Sequence, residues 1–188
     1  MAREKRAFLI PSIKHASAAF VCLGVLLCGS AVWAWSNTLF LEGGGSPDAS
    51  AGFKVTYSRD LGWRWLESGI GLVSPTLEAG VGFFLEDGSS DVFAFEALPL
   101  FKYIFKTDSS VQVYLEGGAG GAYLTEEHIE GNDLGGHVQF VDIFGLGCRL
   151  GRERQHSLGL RFVHYSNAGL HEKNEGINYL HLCYGFAF

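Results

Sequence analysis

Alternating apolar residues near the end of the chain place the strongest constraint on its fold. In the segment NYLHLCYGFAF, residues 178–188, every second side chain is large and apolar: Leu180, Leu182, Tyr184, Phe186 and Phe188. Successive side chains of a β-strand point to opposite faces, so these residues lie on one face of a strand. The same period-two alternation dominates the chain upstream, and helical periodicity is scarce. The chain is therefore predicted to be all-β.

Alternation of this kind defines segments at roughly 37–44, 50–59, 73–85, 91–105, 110–125, 137–150, 157–166 and 178–188. Turn-forming residues separate them, while residues 60–71 fit either a long turn or a short helix. The aromatic final strand resembles the C-terminal signature of bacterial outer-membrane barrel proteins. These features favour an eight-stranded antiparallel transmembrane β-barrel over a soluble sandwich. A barrel of eight strands has a small lumen filled by side chains, which argues against an open pore.

The first residues have the layout of a secretory signal peptide. The basic run MAREKR precedes an apolar, small-residue stretch at 16–34. We expect cleavage after Ala34, with Ala31 as the second choice and an uncleaved anchor helix as the alternative. The predicted organisation is a signal peptide at 1–34 and a single β-barrel domain at 35–188.

The net charge of the chain after cleavage limits the classes of partner that it can bind. Of 14 basic and 20 acidic residues, four basic and one acidic lie within 1–34, which leaves 10 basic and 19 acidic residues and a net charge of −9. An acidic exported chain is a poor candidate for nucleic-acid binding. Cys148 and Cys183 are expected to be unpaired, lipid-facing thiols, with a single disulfide as the alternative.

Three related motifs each carry a glutamate followed by small residues: FLEGGG, TLEAGVG and YLEGGAG. Glycines of this kind relieve crowding where strands pack closely inside a narrow barrel. We expect Glu42, Glu78 and Glu116 to lie in the lumen, paired with Arg or Lys, and favour this over a catalytic role.

A histidine and a serine lie on a face that is otherwise apolar. His164 and Ser166 share the parity of Leu158, Leu160 and Phe162. Polar groups that face lipid are costly, so each calls for a partner or a function. Histidine as general base and serine as nucleophile is one such function. Pairing 166 with 178 would add Asn178 to this patch, and pairing 150 with 158 would bring Asp142 beside Ser166.

The depth of this patch follows from strand geometry. With both termini in the periplasm, residues 167–177 form an extracellular loop. The ten residues from Asn178 to Phe188 cover about 33 Å of strand, or about 25 Å of height at a tilt near 40°. Asn178 is therefore expected at the outer interface of a bacterial outer membrane.

The run HYSNAGL at 164–170, followed by Asn174 and by Gly-Ile at 176–177, resembles the PagL family of outer-membrane lipid A 3-O-deacylases. QFVDIFGLG at 139–147 and YLEGGAG are also similar to that family. The resemblance implies that Ser166 is the nucleophile and that His164 is the general base and later the general acid. It also implies an oxyanion hole formed by the Asn167 side chain and the Gly169 N–H, with Asn174 supporting the site. The implied substrate is lipid A of lipopolysaccharide, which would lose a 3-hydroxyacyl chain from the 3-position of a glucosamine. The resemblance implies no cofactor and no metal.

One position departs from the family pattern. The family has a glutamate fourteen residues after the catalytic histidine, where this chain has Asn178. An amide oxygen can orient an imidazole but supplies no charge. Either Asn178 itself serves as the third catalytic residue, or a nearby carboxylate takes that role, for which Asp142 is preferred over Glu175. A further alternative is that the enzyme is slow or inactive. The alternative functions are a non-catalytic small barrel for membrane integrity or adhesion, and a lipid acyltransferase.

Overall fold

The computed structural model describes residues 37–46, 51–85, 91–129 and 131–188. The predicted signal peptide lies outside the described residues. The strands are β1 Asn37–Gly45, β2 Ala51–Asp60, β3 Gly71–Leu85, β4 Val92–Phe105, β5 Val111–Leu124, β6 His128–Ile129, β7 Asn132–Asp133, β8 Val138–Leu150, β9 His156–Ser166 and β10 Ile177–Ala187.

Eight of these strands close into one antiparallel barrel in the order β1-β10-β9-β8-β5-β4-β3-β2. The strands β6 and β7 form a separate two-stranded ribbon within the β5–β8 connection. The prediction of an all-β, eight-stranded antiparallel barrel is confirmed. Among the described residues, no helix is long and apolar enough to cross a membrane. Residues 61–70 form a turn that is closed by a bridge between Trp65 and Val73 and contains no helix.

Strand parity separates a lipid-facing wall from a packed interior. On β10, Leu180 and Leu182 are exposed, whereas Tyr179 and His181 are buried. Cys183 is also buried, so the prediction of two lipid-facing thiols is wrong for this residue. The reason is parity, because an odd-numbered residue of β10 points into the barrel. Cys148 and Cys183, the cysteines within the described residues, are free thiols.

The predicted lumen glutamates surround one arginine. The Arg161 guanidinium is fully buried and lies 2.9 Å from Glu42, 3.1 Å from Glu78 and 2.6 Å from Glu116. Two buried lysines complete the cluster: Lys54 pairs with Glu42 and Glu96, and Lys102 pairs with Glu78 and Glu116. The expectation of paired lumen glutamates is confirmed. Gly145 leaves the space that Glu116 fills, since a Cβ there would lie 2.8 Å from its Oε1.

An apolar cluster fills the barrel towards the end that carries the 125–137 and 167–176 loops. It includes Phe84, Val92, Leu124, Val141, Tyr165, Ile177 and Tyr179. The Phe84 ring stacks on Tyr179 and meets the edge of Tyr165. The ion cluster and this apolar cluster together occupy the lumen, as expected for eight strands.

Two predicted registers are wrong by two residues. His164 pairs with Asn178 instead of Leu180, and Leu150 pairs with His156 instead of Leu158. The second shift arises because Gly151 adopts a φ of +88° and accepts a hydrogen bond from Arg154 N, which makes the turn after β8 tighter than predicted. A shift of two preserves the facing of every side chain, so the lipid-facing patch survives with different neighbours.

Candidate active site

The candidate site lies on the outer wall, at the end of β9. His164 and Ser166 both point away from the lumen and are half-buried. Strand β9 lies between β8 and β10, so His164 has a paired neighbour on both sides, whereas Ser166 lies beyond the last pair with β10. His164 has Asn178 on one side and Asp142 on the other, while Ser166 pairs with Phe140. Asp142 is therefore the neighbour of His164, whereas the sequence predicted it beside Ser166.

Asn178 orients the imidazole. The His164 Nδ1 donates a hydrogen bond of 2.8 Å to Asn178 Oδ1. An amide oxygen can only accept, so the proton of the neutral ring is on Nδ1 and the Nε2 lone pair is free to act as a base. Of the three candidates for the third catalytic residue, Asn178 is the one that contacts a ring nitrogen of His164 in the described structure.

Gly176 packs directly against the imidazole. It has a φ of +66°, and a Cβ at this position would lie 3.0 Å from His164 Cε1 and 3.2 Å from the Tyr165 carbonyl oxygen. Any side chain here would press on the ring as well as strain the backbone. Gly176 therefore belongs to the site as a spacer.

Ser166 ends β9 and opens the loop at 167–176. Within the described residues its hydroxyl has no hydrogen-bond partner, and none is formed with His164. Nucleophile–base hydrogen bonds are often longer in unliganded enzymes and shorten when substrate binds. The two side chains are two residues apart on one strand face, so a rotation of side chains can bring them together.

Asn167 is fully buried and uses its whole side chain to join two loops. Its Nδ2 donates to the carbonyl oxygens of Leu134, at 2.8 Å, and Lys173, at 2.5 Å. Its Oδ1 accepts from Gly169 N, and its own N–H donates to Asn174 Oδ1, both at 2.8 Å. Both donors of the predicted oxyanion hole are thus occupied by oxygens of the protein.

The same turn contains a further backbone donor. Ala168 adopts a φ of +53°, next to Gly169 at +80°. Its N–H has no hydrogen-bond partner within the described part of the chain. Asn167 or Gly169 can bind an oxyanion only if this turn changes, whereas the Ala168 donor needs no bond to be broken.

The two substitute carboxylates differ in their surroundings. Asp142 is exposed on the outer wall, and its carboxylate forms no ion pair or hydrogen bond with the described residues. Glu175 accepts a hydrogen bond of 2.6 Å from Asp133 N, and its own N–H donates to the Asp133 carbonyl. Glu175 therefore ties its loop to the β6–β7 ribbon instead of approaching His164.

The site is also supported from inside the barrel, by residues that the sequence did not predict. Between His164 and Ser166, Tyr165 points into the barrel, where its hydroxyl donates to Glu96. Glu96 also pairs with Lys54 at 3.1 Å. Tyr165 lies on the opposite face of β9 from His164 and Ser166, but its partner is 69 residues away in the chain, and no local pattern identified it.

Comparison with known proteins gives the family. The family model for lipid A 3-O-deacylase (PagL) matches residues 51–187. The chain is 30% identical over 135 residues to the lipid A deacylase PagL of Bordetella bronchiseptica, covering 70% of each chain. It is also 30% identical over 135 residues to the lipid A deacylase PagL of Pseudomonas aeruginosa, covering 69% of this chain and 76% of the relative.

A solved structure agrees with these sequence relatives. The crystal structure of the outer membrane enzyme PagL superposes with a TM-score of 0.74 at 25% identity, and the match covers 80% of this chain and 99% of that one. The chain therefore belongs to the PagL family of lipid A 3-O-deacylases and is an outer-membrane β-barrel enzyme.

Proposed function

We propose that this enzyme removes the 3-O-linked 3-hydroxyacyl chain of lipid A with Ser166 as nucleophile and His164 as general base. The observation that carries the proposal is the lipid-facing position of both side chains, with His164 held by Asn178 at 2.8 Å. Lipid A is a membrane lipid, so its ester reaches a residue on the outer wall without leaving the bilayer. The site would then face the outer leaflet.

The proposed reaction begins when His164 Nε2 takes the Ser166 hydroxyl proton. The serine oxygen forms a bond to the ester carbon, and the carbonyl oxygen becomes an oxyanion. The intermediate collapses as the bond to the glucosamine 3-oxygen breaks, and that oxygen receives the proton from Nε2. Water then attacks the acyl-serine with His164 as base, which releases a 3-hydroxy fatty acid and restores Ser166.

Charge stabilisation at the oxyanion has two candidate sources. The resemblance to the family points to the Asn167 amide and the Gly169 N–H, both of which are hydrogen-bonded within the protein in this state. The Ala168 N–H belongs to the same turn and is available without rearrangement. Asn174 supports either arrangement because it fixes Asn167 N at 2.8 Å.

Mass spectrometry of lipid A from cells that express the protein tests the proposal. We expect loss of one 3-hydroxyacyl group, abolished by Ser166→Ala and by His164→Ala. Release of free 3-hydroxy fatty acid, with no acyl gain on a second lipid, distinguishes hydrolysis from acyl transfer. His156→Ala is the matched control, because His156 is also an outward histidine of β9 but lies at the opposite end of the strand. Unchanged lipid A from a folded wild-type barrel would refute the proposal.

A further inference from the structure

Residues 61–70, which we name the anchor segment, expose unusually many large apolar side chains. All ten residues are exposed, and Leu66 and Ile70 reach 80% and 70%. Trp63 and Trp65 are also more than 40% exposed, at 56% and 46%. The segment joins β2 to β3, so it lies at the end of the barrel opposite Ser166. A contiguous apolar surface of this kind marks a site of interaction.

The anchor segment is held in a defined conformation. Trp65 and Val73 exchange two backbone hydrogen bonds, of 2.9 and 2.8 Å. The Arg64 guanidinium contacts both Asp60 carboxylate oxygens, at 2.9 and 3.1 Å. The Ser68 hydroxyl accepts from Ile70 N at 3.2 Å. The apolar side chains are thus displayed on a structured turn.

This apolar surface is continuous with the lipid-facing wall of the barrel. The Trp63 and Trp65 rings stack with their centroids 5.9 Å apart, and Trp65 stacks on Phe101 at the same distance. Phe101 is an outward residue of β4, followed on the same face by Tyr103 and Phe105. The three stacked rings therefore continue the lipid-facing surface of the barrel from β4 onto the anchor segment.

The depth of the anchor segment matches a membrane interface. The outward face of β4 is apolar from Phe93 to Phe105, which is about 40 Å of strand and about 30 Å of height at a tilt near 40°. The apolar band of an outer-membrane barrel is about 25 Å tall, so a band counted from Phe93 ends near Tyr103. Trp65 bridges to Val73, whose partner on β4 is Tyr103, near the lower limit of this face. Tryptophan is enriched at this depth.

The charges of the segment favour lipid over a protein partner. Arg64 pairs with Asp60, and Glu67 pairs with Lys106 at 3.0 Å. Both charged side chains of residues 61–70 are therefore neutralised within the chain, which leaves the apolar residues to make the contact. Protein interfaces usually carry polar rims that add specificity.

We propose that the anchor segment inserts Trp63, Leu66 and Ile70 into the phospholipid leaflet opposite the catalytic rim. The insertion fixes the depth and tilt of the barrel, and thereby the height of Ser166 relative to the acyl esters of the other leaflet. The identity of the two leaflets rests on the proposed function, whereas the contact with lipid does not.

Tryptophan fluorescence of the complete barrel in phospholipid vesicles tests the contact. A background of Trp33→Phe, Trp35→Phe and Trp65→Phe leaves Trp63 as the reporter. With lipids brominated near the top of the acyl chain, we expect Trp63 emission to fall by about half, and aqueous iodide to have little effect. Strong quenching by iodide with no effect of brominated lipid would overturn the proposal and indicate water or a protein partner at this surface.

Charge substitutions test the depth. Leu66→Asp with Ile70→Asp should shift Trp63 emission to longer wavelength and remove most of the quenching by brominated lipid. Leu170→Asp is the matched control, since Leu170 is 69% exposed in a loop at the other end of the barrel. Retained quenching in the double variant would contradict the proposal. Heat-modifiable mobility on gels verifies folding in each case, and the readout needs no enzyme activity, so a catalytically inactive protein still tests the contact.

Discussion

The imidazole of His164 has a neutral partner where a carboxylate would supply charge. In a serine enzyme, changing the triad aspartate to its amide lowered turnover about 10⁴-fold, chiefly because it selected the wrong tautomer. Here the Asn178 oxygen faces Nδ1 at 2.8 Å, so the tautomer is the productive one and only the charge is missing. The deficit should therefore be much smaller than in that enzyme.

Replacing Asn178 with glutamate should raise the rate of deacylation about fivefold, because a hydrogen bond to an ionised acceptor is worth about 1 kcal/mol more than one to a neutral acceptor. Asn178→Leu should instead lower the rate, since leucine cannot orient the ring. Both are measured as initial rates of 3-hydroxy fatty acid release from lipid A in mixed micelles.

Asp142→Asn completes this comparison. If Asn178 is the working partner, Asp142→Asn should change the rate less than Asn178→Leu does. No effect of Asn178→Glu together with a severe loss in Asp142→Asn would instead identify Asp142, the other neighbour of His164, as the functional acid.

Gly176→Ala should impair catalysis through the position of the imidazole. An alanine Cβ would lie 3.0 Å from His164 Cε1, and the φ of +66° costs a non-glycine residue about 1 kcal/mol. We expect about a tenfold lower turnover with an unchanged folded fraction on gels. Gly131→Ala is the control, because Gly131 has a φ of +81° and no atom near its Cβ position. Equal losses in both variants would show that backbone strain alone is responsible.

At the scale of elements, Asn167 joins the 125–137 and 167–176 loops. Asn167→Asp keeps the acceptor for Gly169 N but places a carboxylate against the Leu134 and Lys173 carbonyls. We expect the loops to separate, with faster tryptic cleavage after Lys173 and lower activity. Asn174→Asp is the matched control, since it retains an oxygen for Asn167 N. Unchanged cleavage in Asn167→Asp would show that the loops are held by other contacts.

Strand existence and facing were predictable from the sequence, but registers were not. Alternation placed Ser166 on the outward face, because a two-residue period leaves one choice wherever one face is apolar. The repeated glutamate–glycine motifs placed Glu42 in the lumen. The pairing of His164 with Asp142 depends on the turn at Gly151, and its pairing with Asn178 depends on the loop that ends at Gly176. No alternation records the positive φ values of these two glycines. The hydrogen bond from Asn167 to Leu134 joins separate loops, so it follows only from the closed barrel.

At the scale of the whole molecule, Arg161 neutralises carboxylates from three strands. Arg161→Met would remove the guanidinium that pairs with Glu42, Glu78 and Glu116, so that Lys54 and Lys102 remain as the lysine partners of these carboxylates. Removing one partner of a buried ion pair typically costs about 3–5 kcal/mol. We expect a lower urea midpoint in heat-modifiability assays. Arg152→Met, at an exposed position of the turn after β8, should change the midpoint little, and an equal shift in both variants would contradict a special role for the cluster.

The filled lumen also determines how substrate and product travel. Because ion pairs and aromatic rings close the interior, lipid A has no route through the lumen and must reach the proposed site at Ser166 by diffusion within the plane of the leaflet. The rate should then follow the mole fraction of lipid A among surrounding lipids and not its bulk concentration. Adding inert phospholipid should slow the enzyme, whereas diluting the same vesicles in buffer should not.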